Sequence, residues 1–444
     1  MEFYDRKEEF AELKRIQELS FNEHSFMTVL TGRRRIGKTS LIKRVCEGTP
    51  SVYLFVSRDR EAYLVNMFAA QVRKDLGIFV PEEISTFRSL FVLLMEAGKN
   101  MSFNLVIDEF QDFQYVNPTI FSHIQDIWDS YRKETRINLV ISGSVYNMMN
   151  KLFKDKKEPL FGREDNLITL KPFQTSILKE ILHDYNTSYT NEDLLALYTI
   201  TGGVPKYIEL FMDNRICRKE DMISFMFREN SMLMTEGKNL LIEEFGKDYA
   251  TYFSILGCVS MGINTQPAIE SAMGNISIGG HLKRLKEDYA IVDKVLPFGS
   301  KEGSKGARYE ISDIFLRFWF KYVHRNSSIV EIGNWPLLRK IVEDDYNIYT
   351  GDILERYFRQ RMKESMNYRQ IGNWWDPKNK ENQNEIDIVA ITADNKSVEF
   401  YEVKRNPDKY RKQLLQSKTD YCCQKIAGLK KYKIQIGNLS MEDM

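Results

Sequence analysis

Residues 31–40, TGRRRIGKTS, decide the fold of the N-terminal part of this chain. The segment matches the pattern G-x-x-x-x-G-K-[ST] from Gly32 to Thr39. Glycines at these positions let the backbone curl so that its N–H groups point at phosphates, and a following helix adds its positive end. The apolar stretch SFMTVLTG precedes the motif, and KTSLIKRVCEG follows it with helical spacing. This strand–loop–helix context predicts a nucleotide-binding loop in an α/β domain.

Lysine and hydroxyl side chains complete the predicted loop. We expect Lys38 to reach the β- and γ-phosphates of ATP, and the Thr39 hydroxyl to coordinate Mg²⁺. The arginine run inside the loop fits nucleotide binding better than a DNA-contacting patch. The expected binding segment comprises Gly32, Arg33, Arg34, Arg35, Ile36, Gly37, Lys38, Thr39 and Ser40.

A second motif, NLVIDEF at residues 104–110, supplies two acids. Its nearly all-apolar character is typical of a parallel strand covered on both faces. We expect Asp108 to hold the Mg²⁺ through water and Glu109 to polarise the attacking water as a base. This pair favours ATP hydrolysis over binding alone, and no convincing guanine-specifying NKxD segment is present.

Three further motifs stay open between a functional and an ordinary structural role. Ser142 and Ser144 end the strand LVISGS, where a polar residue would sense the γ-phosphate or simply form a turn. Arg163, in PLFGRE, would act as an arginine finger, in cis or from a neighbouring subunit, or form a surface salt bridge. Residues 201–207, TGGVPKY, predict either a hinge over the nucleotide or a plain turn.

A second candidate site lies in residues 384–406, NEIDIVAITADNKSVEFYEVKRN, which predict two apolar strands joined by a polar turn. Glu402 and Lys404 are two apart and so share one face, and Asp387 can face them across the hairpin. Asp387 and Glu402 would hold Mg²⁺ against a scissile phosphate, with Lys404 stabilising the charge. The alternative is an ordinary solvated hairpin with a salt bridge. Acids within apolar strands are nevertheless costly unless paired or metal-bound.

Bulk composition limits the class of protein. A length of 444 residues suggests about three domains. The net charge of +1 excludes a global basic field, so any nucleic-acid surface must be local. Five cysteines without a CxxC pair argue against zinc and against a disulfide framework. The charged N-terminus and the short apolar runs predict a cytoplasmic protein with neither a signal peptide nor a membrane span.

Several motifs together resemble a known family. In order, they are FYDRKEEFAEL, TGRRRIGKTSLI, LVIDEFQ, LVISGS, PLFGR, GGVPKYIELF and DIFLRFWFKYV. This series resembles the archaeal and bacterial AAA+-related ATPases of the STAND group. The C-terminal IGNWW, NEIDIVA and FYEVKR resemble a domain of unknown function often fused to them, which is regarded as nuclease-like, of the PD-(D/E)XK superfamily.

The resemblance implies further site residues. The superfamily often adds a glutamate from a preceding helix, and Glu355 in GDILERYF matches that position. Gln413 on the following helix would be a further neighbour of that site. Near the N-terminus, Asp5 and Arg6 would lie close to the nucleotide base.

The predicted domain order follows from the secondary-structure pattern and from the resemblance. We expect a P-loop ATPase core with a parallel sheet at 1–173, a helical lid at 174–244 and a winged helix at 245–330. A PD-(D/E)XK-like α/β domain would follow at 331–444.

Basic residues of the predicted winged helix would contact DNA phosphates, or else form a solvated face for domain contacts. They are His281, Lys283, Arg284 and Lys286 on the helix, and Lys301, Lys305 and Arg308 on the wing. The pair Trp374 and Trp375 would stack on bases, although packing is the more frequent use of adjacent tryptophans.

The leading hypothesis is an ATPase that couples ATP hydrolysis to DNA through the winged helix and the nuclease-like domain. Two alternatives remain. In one, nucleotide exchange drives assembly of a regulatory switch, and the C-terminal domain only binds a partner. In the other, the chain is a DNA-binding regulator with slow or absent hydrolysis. A homo-oligomer is compatible with each.

Overall fold

The computed structural model describes residues 1–144, 146–246, 249–301, 303–304, 306–378 and 384–444. These residues form two compact units. One unit is Asp5–Lys171, and the other combines Met1–Tyr4 with Pro172–Met444. The predicted domain boundaries inside the second unit stay predictions.

A parallel five-stranded sheet forms the centre of the unit Asp5–Lys171. Its strands lie in the order β2-β3-β4-β1-β5, and every adjacent pair is parallel. They are β1 (Phe26–Thr31), β2 (Ser51–Phe55), β3 (Phe103–Asp108), β4 (Ile137–Gly143) and β5 (Asn166–Thr169). All residues of β3 and β4 are buried, as expected of central strands covered on both faces. The predicted α/β fold with a parallel sheet is confirmed.

Helices connect and cover these strands. They are α1 (Lys7–Asn22), α2 (Lys38–Cys46), α3 (Glu61–Leu76), α4 (Phe87–Ala97), α5 (Phe113–Val116), α6 (Thr119–Tyr131) and α7 (Tyr146–Lys154). Because the strands are parallel, their carboxyl ends share one edge of the sheet, where the loop after β1 lies beside Asp108 and Glu109 at the end of β3.

The second unit begins with helices and ends with a small mixed sheet. Its helices are α8 (Thr175–Tyr185), α9 (Asn191–Thr201), α10 (Pro205–Asp213), α11 (Lys219–Met226), α12 (Met232–Phe245), α13 (Tyr249–Ser260), α14 (Gln266–Ala272), α15 (Gly279–Glu287), α16 (Ile314–Tyr322), α17 (Ser327–Glu331), α18 (Trp335–Glu364) and α19 (Lys412–Lys425). Its strands are β6 (Val292–Val295), β7 (Arg308–Ile311), β8 (Tyr368–Trp374), β9 (Ile386–Thr392), β10 (Ser397–Lys404) and β11 (Lys433–Ser440).

These six strands form two sheets. Strands β6 and β7 pair antiparallel after the helices α13 to α15. The other sheet has the order β11-β10-β9-β8, in which β10 and β11 are parallel and the remaining pairs are antiparallel. The helix α18 packs on β8 and β10, and α19 packs on β9 to β11.

The segment 201–207 forms a tight turn between two helices. Gly202 ends α9 with a φ of +58°, and Gly203 follows with +77°. A Cβ on Gly203 would lie 2.8 Å from the Phe173 carbonyl oxygen, so both the conformation and the contact require glycine. Pro205 then begins α10. The hinge interpretation stays a prediction.

None of the described helices is both long enough and apolar enough to cross a membrane.

Candidate functional site

The loop between β1 and α2 has the backbone that phosphate binding requires. Gly32 has a φ of +147°, and a Cβ there would lie 2.9 Å from the Leu170 carbonyl oxygen. Gly37 caps α2 with a φ of +93°. Both glycines therefore serve the geometry of the loop, because other residues rarely adopt these conformations. The helix α2 begins directly after Gly37, so the positive end of its dipole lies at the loop.

Two basic side chains of this unit, Lys38 and Arg6, donate hydrogen bonds to backbone carbonyl oxygens of the loop. The buried Lys38 donates from Nζ to the carbonyl oxygens of Gly32 at 2.7 Å and Arg33 at 3.2 Å. Arg6 donates from Nη2 to the carbonyl oxygens of Ile36 at 3.3 Å and Lys171 at 2.6 Å. Arg6 thus lies against the loop, and the expected position of Asp5 and Arg6 near the nucleotide base stays a prediction.

Asp108 ends β3 beside the hydroxyl predicted to share its metal. Thr39 Oγ1 donates to Asp108 Oδ2 at 3.3 Å, and the backbone N–H of Glu109 donates to Asp108 Oδ1 at 3.0 Å. Tyr53, on the neighbouring strand β2, also donates its hydroxyl to Asp108. Burial, together with this hydrogen bond to Asp108, raises the pKa of Tyr53, so the phenol stays protonated.

Glu109 adopts an unusual backbone conformation and is held by several donors. Its φ is +52°, in the left-handed region that non-glycine residues rarely adopt. Its Oε2 accepts hydrogen bonds from Gln111 Nε2 at 2.6 Å and Ser144 Oγ at 2.7 Å. The structure therefore brings Ser144 to the predicted base. The Ser142 hydroxyl is buried within β4 and has no hydrogen-bond partner in the part of the chain that the structure describes.

Arg163 is engaged in an ion pair. Its Nη2 lies 2.8 Å from Asp129 Oδ2, and its Nη1 donates to the Pro159 carbonyl oxygen at 2.7 Å. This geometry is that of the salt-bridge alternative. The arginine-finger role stays a prediction.

The acids and the lysine of the C-terminal hairpin converge. Lys404 Nζ lies 3.6 Å from Asp387 Oδ2 and 3.2 Å from Glu402 Oε1. The backbone N–H of Val403 donates to Asp387 Oδ2 at 2.8 Å. Burial raises the pKa of Asp387. Burial alone would lower the pKa of Lys404, but the carboxylates of Asp387 and Glu402 outweigh it, so that pKa is raised.

Residues from two helices join this cluster. Glu355 on α18 accepts from Arg359 Nη1 at 3.3 Å, and the same nitrogen donates to the Asp387 carbonyl oxygen at 2.8 Å. Burial, and then the Asp387 charge, raise the pKa of Glu355 well above its usual range. Lys418 on α19 lies 3.6 Å from Glu402 Oε1. We call Glu355, Asp387, Glu402, Lys404 and Lys418 the acidic cluster.

Glu402 is the most buried acid of this cluster. It is 6% exposed, and its Oε2 has no hydrogen-bond partner among the residues that the structure describes. Gln413, in contrast, is exposed on α19. Within the described ranges, no three or more His, Cys, Asp or Glu side chains are grouped so that they could hold a metal ion.

The basic residues proposed for DNA contact have varied surroundings. Lys283 pairs with Glu287 at 3.8 Å on α15, whose Leu282 and Leu285 are buried. Arg308 donates to Glu385 Oε1 at 2.7 Å and lies 4.2 Å above the Trp375 ring, which is buried.

Burial of Trp374 and Trp375 fits packing rather than base stacking. Lys305 lies outside the described residues.

Sequence reasoning missed Tyr53, Gln111 and Lys418. Tyr53 and Lys418 reach their partners through a hydrogen bond and an ion pair set by the tertiary fold, whereas Gln111 bonds to a residue two positions away. The signal for Gln111 was its place two residues after Glu109. Tyr53 and Lys418 carried no pattern that distinguishes them from other polar residues of an α/β fold.

Comparisons with known proteins give matches in both the N-terminal and the C-terminal part of the chain. Residues 3–211 match an ATPase domain predominantly from Archaea, and residues 319–414 match archaeal and bacterial proteins of unknown function. An uncharacterised protein of Methanocaldococcus jannaschii is 28% identical over 97% of this chain and 94% of its own length.

A solved structure supports the fold assignment. A Walker-type ATPase of Pyrococcus abyssi matches with a TM-score of 0.53 and 17% identity, covering 72% of this chain and 96% of its own. That likeness concerns the fold. The two family matches confirm the resemblance in its ATPase domain and its C-terminal domain: residues 3–211 form an ATPase domain of a type found predominantly in Archaea, and residues 319–414 form a domain shared with archaeal and bacterial proteins of unknown function.

Proposed function

We propose that this ATPase binds ATP·Mg²⁺ at residues 32–40 and hydrolyses it with Glu109 as the general base. The observation that carries the proposal is the meeting of Thr39 and Asp108, whose side-chain oxygens lie 3.3 Å apart beside Glu109. Hydroxyl and carboxylate oxygens are ligands that suit Mg²⁺, so the residues present fit the ion. When bound there, Mg²⁺ would neutralise charge on the phosphates.

The chain's own residues would then supply the remaining steps. Lys38 would exchange its carbonyl partners in the loop for phosphate oxygens, which are stronger acceptors for an ammonium group. Glu109 would accept a proton from the attacking water. The loop N–H groups would hold the phosphates in line with that water.

Two substitutions test this proposal. We expect Glu109→Gln to lower kcat by about 100-fold or more while ATP still binds, because the amide cannot accept the proton. Lys38→Ala should weaken ATP binding and abolish turnover. The matched controls are Glu47→Gln and Lys43→Ala, which change exposed residues of the same types on or beside α2. Full turnover by Glu109→Gln would contradict the base assignment.

A second candidate function concerns the acidic cluster. We propose that it is a PD-(D/E)XK-like site for a metal ion and a nucleic-acid phosphate, with Asp387 and Glu402 as metal ligands. The buried Glu402 Oε2 supports this, because a buried carboxylate oxygen without a hydrogen bond is costly unless a cation or water joins it. Lys404 and Lys418 already offset part of the negative charge, so a metal must compete with them.

Cleavage assays would test this second function. Linear and circular DNA would be incubated with the protein and Mg²⁺ or Mn²⁺, with and without ATP. We expect cleavage that is lost in Asp387→Ala/Lys404→Ala. The matched control is Asp394→Ala/Lys396→Ala, an exposed acid–lysine pair in the β9–β10 turn, 3.6 Å apart. No cleavage, with ATP hydrolysis intact, would refute a working nuclease site.

The wider role is proposed in the same way. We propose that α13 to α15 with β6 and β7 act as a winged helix that associates with DNA. Saturable duplex binding without cutting would favour a DNA-binding regulator. A change in sedimentation with nucleotide, without DNA binding, would favour a switch that assembles as a homo-oligomer. The cytoplasmic location stays a prediction.

A further inference from the structure

A nearly buried lysine lies over the most buried acid of the acidic cluster. Lys418 belongs to α19, on the helix face that buries Leu415 and Cys422, and its side chain is 13% exposed. Its Nζ lies 3.6 Å from Glu402 Oε1. Lysine is seldom buried to this extent unless an acid offsets its charge. The charge of Lys418 therefore belongs to the acidic cluster rather than to the solvent.

Strand alternation brings Glu402 under α19. Val398, Phe400 and Glu402 are buried on one face of β10. The first two belong to the same core cluster as Leu415 of α19. A carboxylate at the end of this apolar face is costly without a cation. Glu402 Oε1 has a second one, since Lys404 Nζ lies 3.2 Å away, whereas Oε2 has no hydrogen-bond partner among the described residues.

The two lysines of the cluster are held differently. Lys404 Nζ lies 3.2 Å from Glu402 and 3.6 Å from Asp387, and it donates to the Val403 carbonyl oxygen at 3.3 Å. In the described part of the chain, Lys418 has one ion pair, with Glu402. Its distance of 3.6 Å exceeds the length of about 2.7–2.9 Å that is typical of a charge-assisted hydrogen bond. Lys418 is therefore the lysine that leaves the cluster with the smaller loss of contacts.

A divalent metal and Lys418 compete for the same acid. A Mg²⁺ ion held by Asp387 and Glu402 would lie about 2.1 Å from their oxygens. An ammonium group 3.6 Å from Glu402 would repel that ion. Lysine also binds phosphate as a point charge, and its four-carbon stem lets the ammonium move between partners. A nucleic-acid phosphate at the cluster would therefore draw Lys418 away and leave Glu402 to the metal.

We propose that Lys418 is an exchangeable cation, which pairs with Glu402 in the free protein and turns to a phosphodiester when nucleic acid binds. The exchange makes the acidic cluster a weak metal site by itself and a stronger one in the presence of nucleic acid. A divalent cation and a nucleic-acid backbone are thus ligands that bind cooperatively. The inference rests on the proposed function of Asp387 and Glu402 as metal ligands.

Calorimetric titration of the full chain with Mn²⁺, without nucleotide, tests the competition. We expect Lys418→Met to bind Mn²⁺ about tenfold more tightly than the native protein, because one positive charge near the metal is removed. Lys418→Gln should act in the same direction, since its amide is also uncharged, and it serves if methionine disturbs folding. The matched control is Lys425→Met, which removes an ion-paired lysine of the same helix, 3.4 Å from Asp376, and should leave the affinity unchanged. Adding Asp387→Ala to each protein identifies the site, because binding at the cluster should then be lost.

The same titration with a short DNA duplex tests the exchange. The duplex should raise the Mn²⁺ affinity of the native protein by about tenfold more than that of Lys418→Met, which has no lysine to displace. Equal gains in the two proteins, or equal affinities without DNA, would overturn the role of Lys418 and leave the metal site standing. If no protein binds Mn²⁺, or if binding survives Asp387→Ala, the metal site and the exchange are refuted together.

Discussion

At the scale of single residues, the acidic cluster carries unfavourable charge within the folded unit. Burial and the neighbouring Asp387 raise the pKa of Glu355, so the folded protein binds a proton that the unfolded chain releases at lower pH. A raised folded pKa means that Glu355 contributes stability below the unfolded pKa of about 4.3. That contribution is lost as the pH rises through the folded pKa.

The upward direction of the Glu355 pKa shift gives a prediction for Glu355→Gln. The amide cannot ionise, so we expect a higher Tm than the native protein at pH 7 and an equal Tm below about pH 4. Thermal unfolding followed from pH 4 to pH 8 measures the difference. The control is Glu343→Gln, an exposed glutamate on the same helix, which should leave the profile unchanged. A lower Tm for Glu355→Gln at pH 7 would mean that its ion pair with Arg359 outweighs the burial.

At the scale of elements, the sequence patterns predicted the strands, the loop and the strand faces, which depend on the spacing of residues close together in the chain. The apolar runs before the loop and through NLVID became β1 and β3, and the glycines of the loop have the positive φ that their motif requires. Glu402 met Lys404 because residues two apart in a strand share a face, and Asp387 met Lys404 across the antiparallel pair of β9 and β10.

Those patterns could not predict interactions between elements that are distant in the sequence. Tyr53 reaches Asp108 only because β2 pairs with β3, and Lys418 reaches Glu402 only because α19 packs on the sheet. The pairing of Arg163 with Asp129, 34 residues away, likewise depends on how β5 and α6 are placed. Periodicity gives the face of a residue within its own element, but the partner opposite that face is set by tertiary packing.

At the scale of the whole molecule, the two candidate sites belong to different compact units. The nucleotide loop lies in Asp5–Lys171, whereas the acidic cluster lies in the unit that contains Pro172–Met444. A ligand that binds only the folded state stabilises the unit that holds it, by ~2.7 kcal/mol at one hundred times its dissociation constant. Calorimetry can therefore report whether the nucleotide acts on one unit or on both.

We expect two unfolding transitions, and a non-hydrolysable ATP analogue with Mg²⁺ should raise only one of them. At one hundred times its dissociation constant the shift should be roughly 5–10 °C for a unit of this size. Lys38→Ala should remove the shift, whereas Asp387→Ala should not. If both transitions rise together, binding energy from the loop reaches the acidic cluster, as ATP gating of the C-terminal domain requires. A shift confined to one transition would leave the two sites thermodynamically independent, and any dependence of DNA cleavage on ATP would then have to arise from hydrolysis rather than from binding.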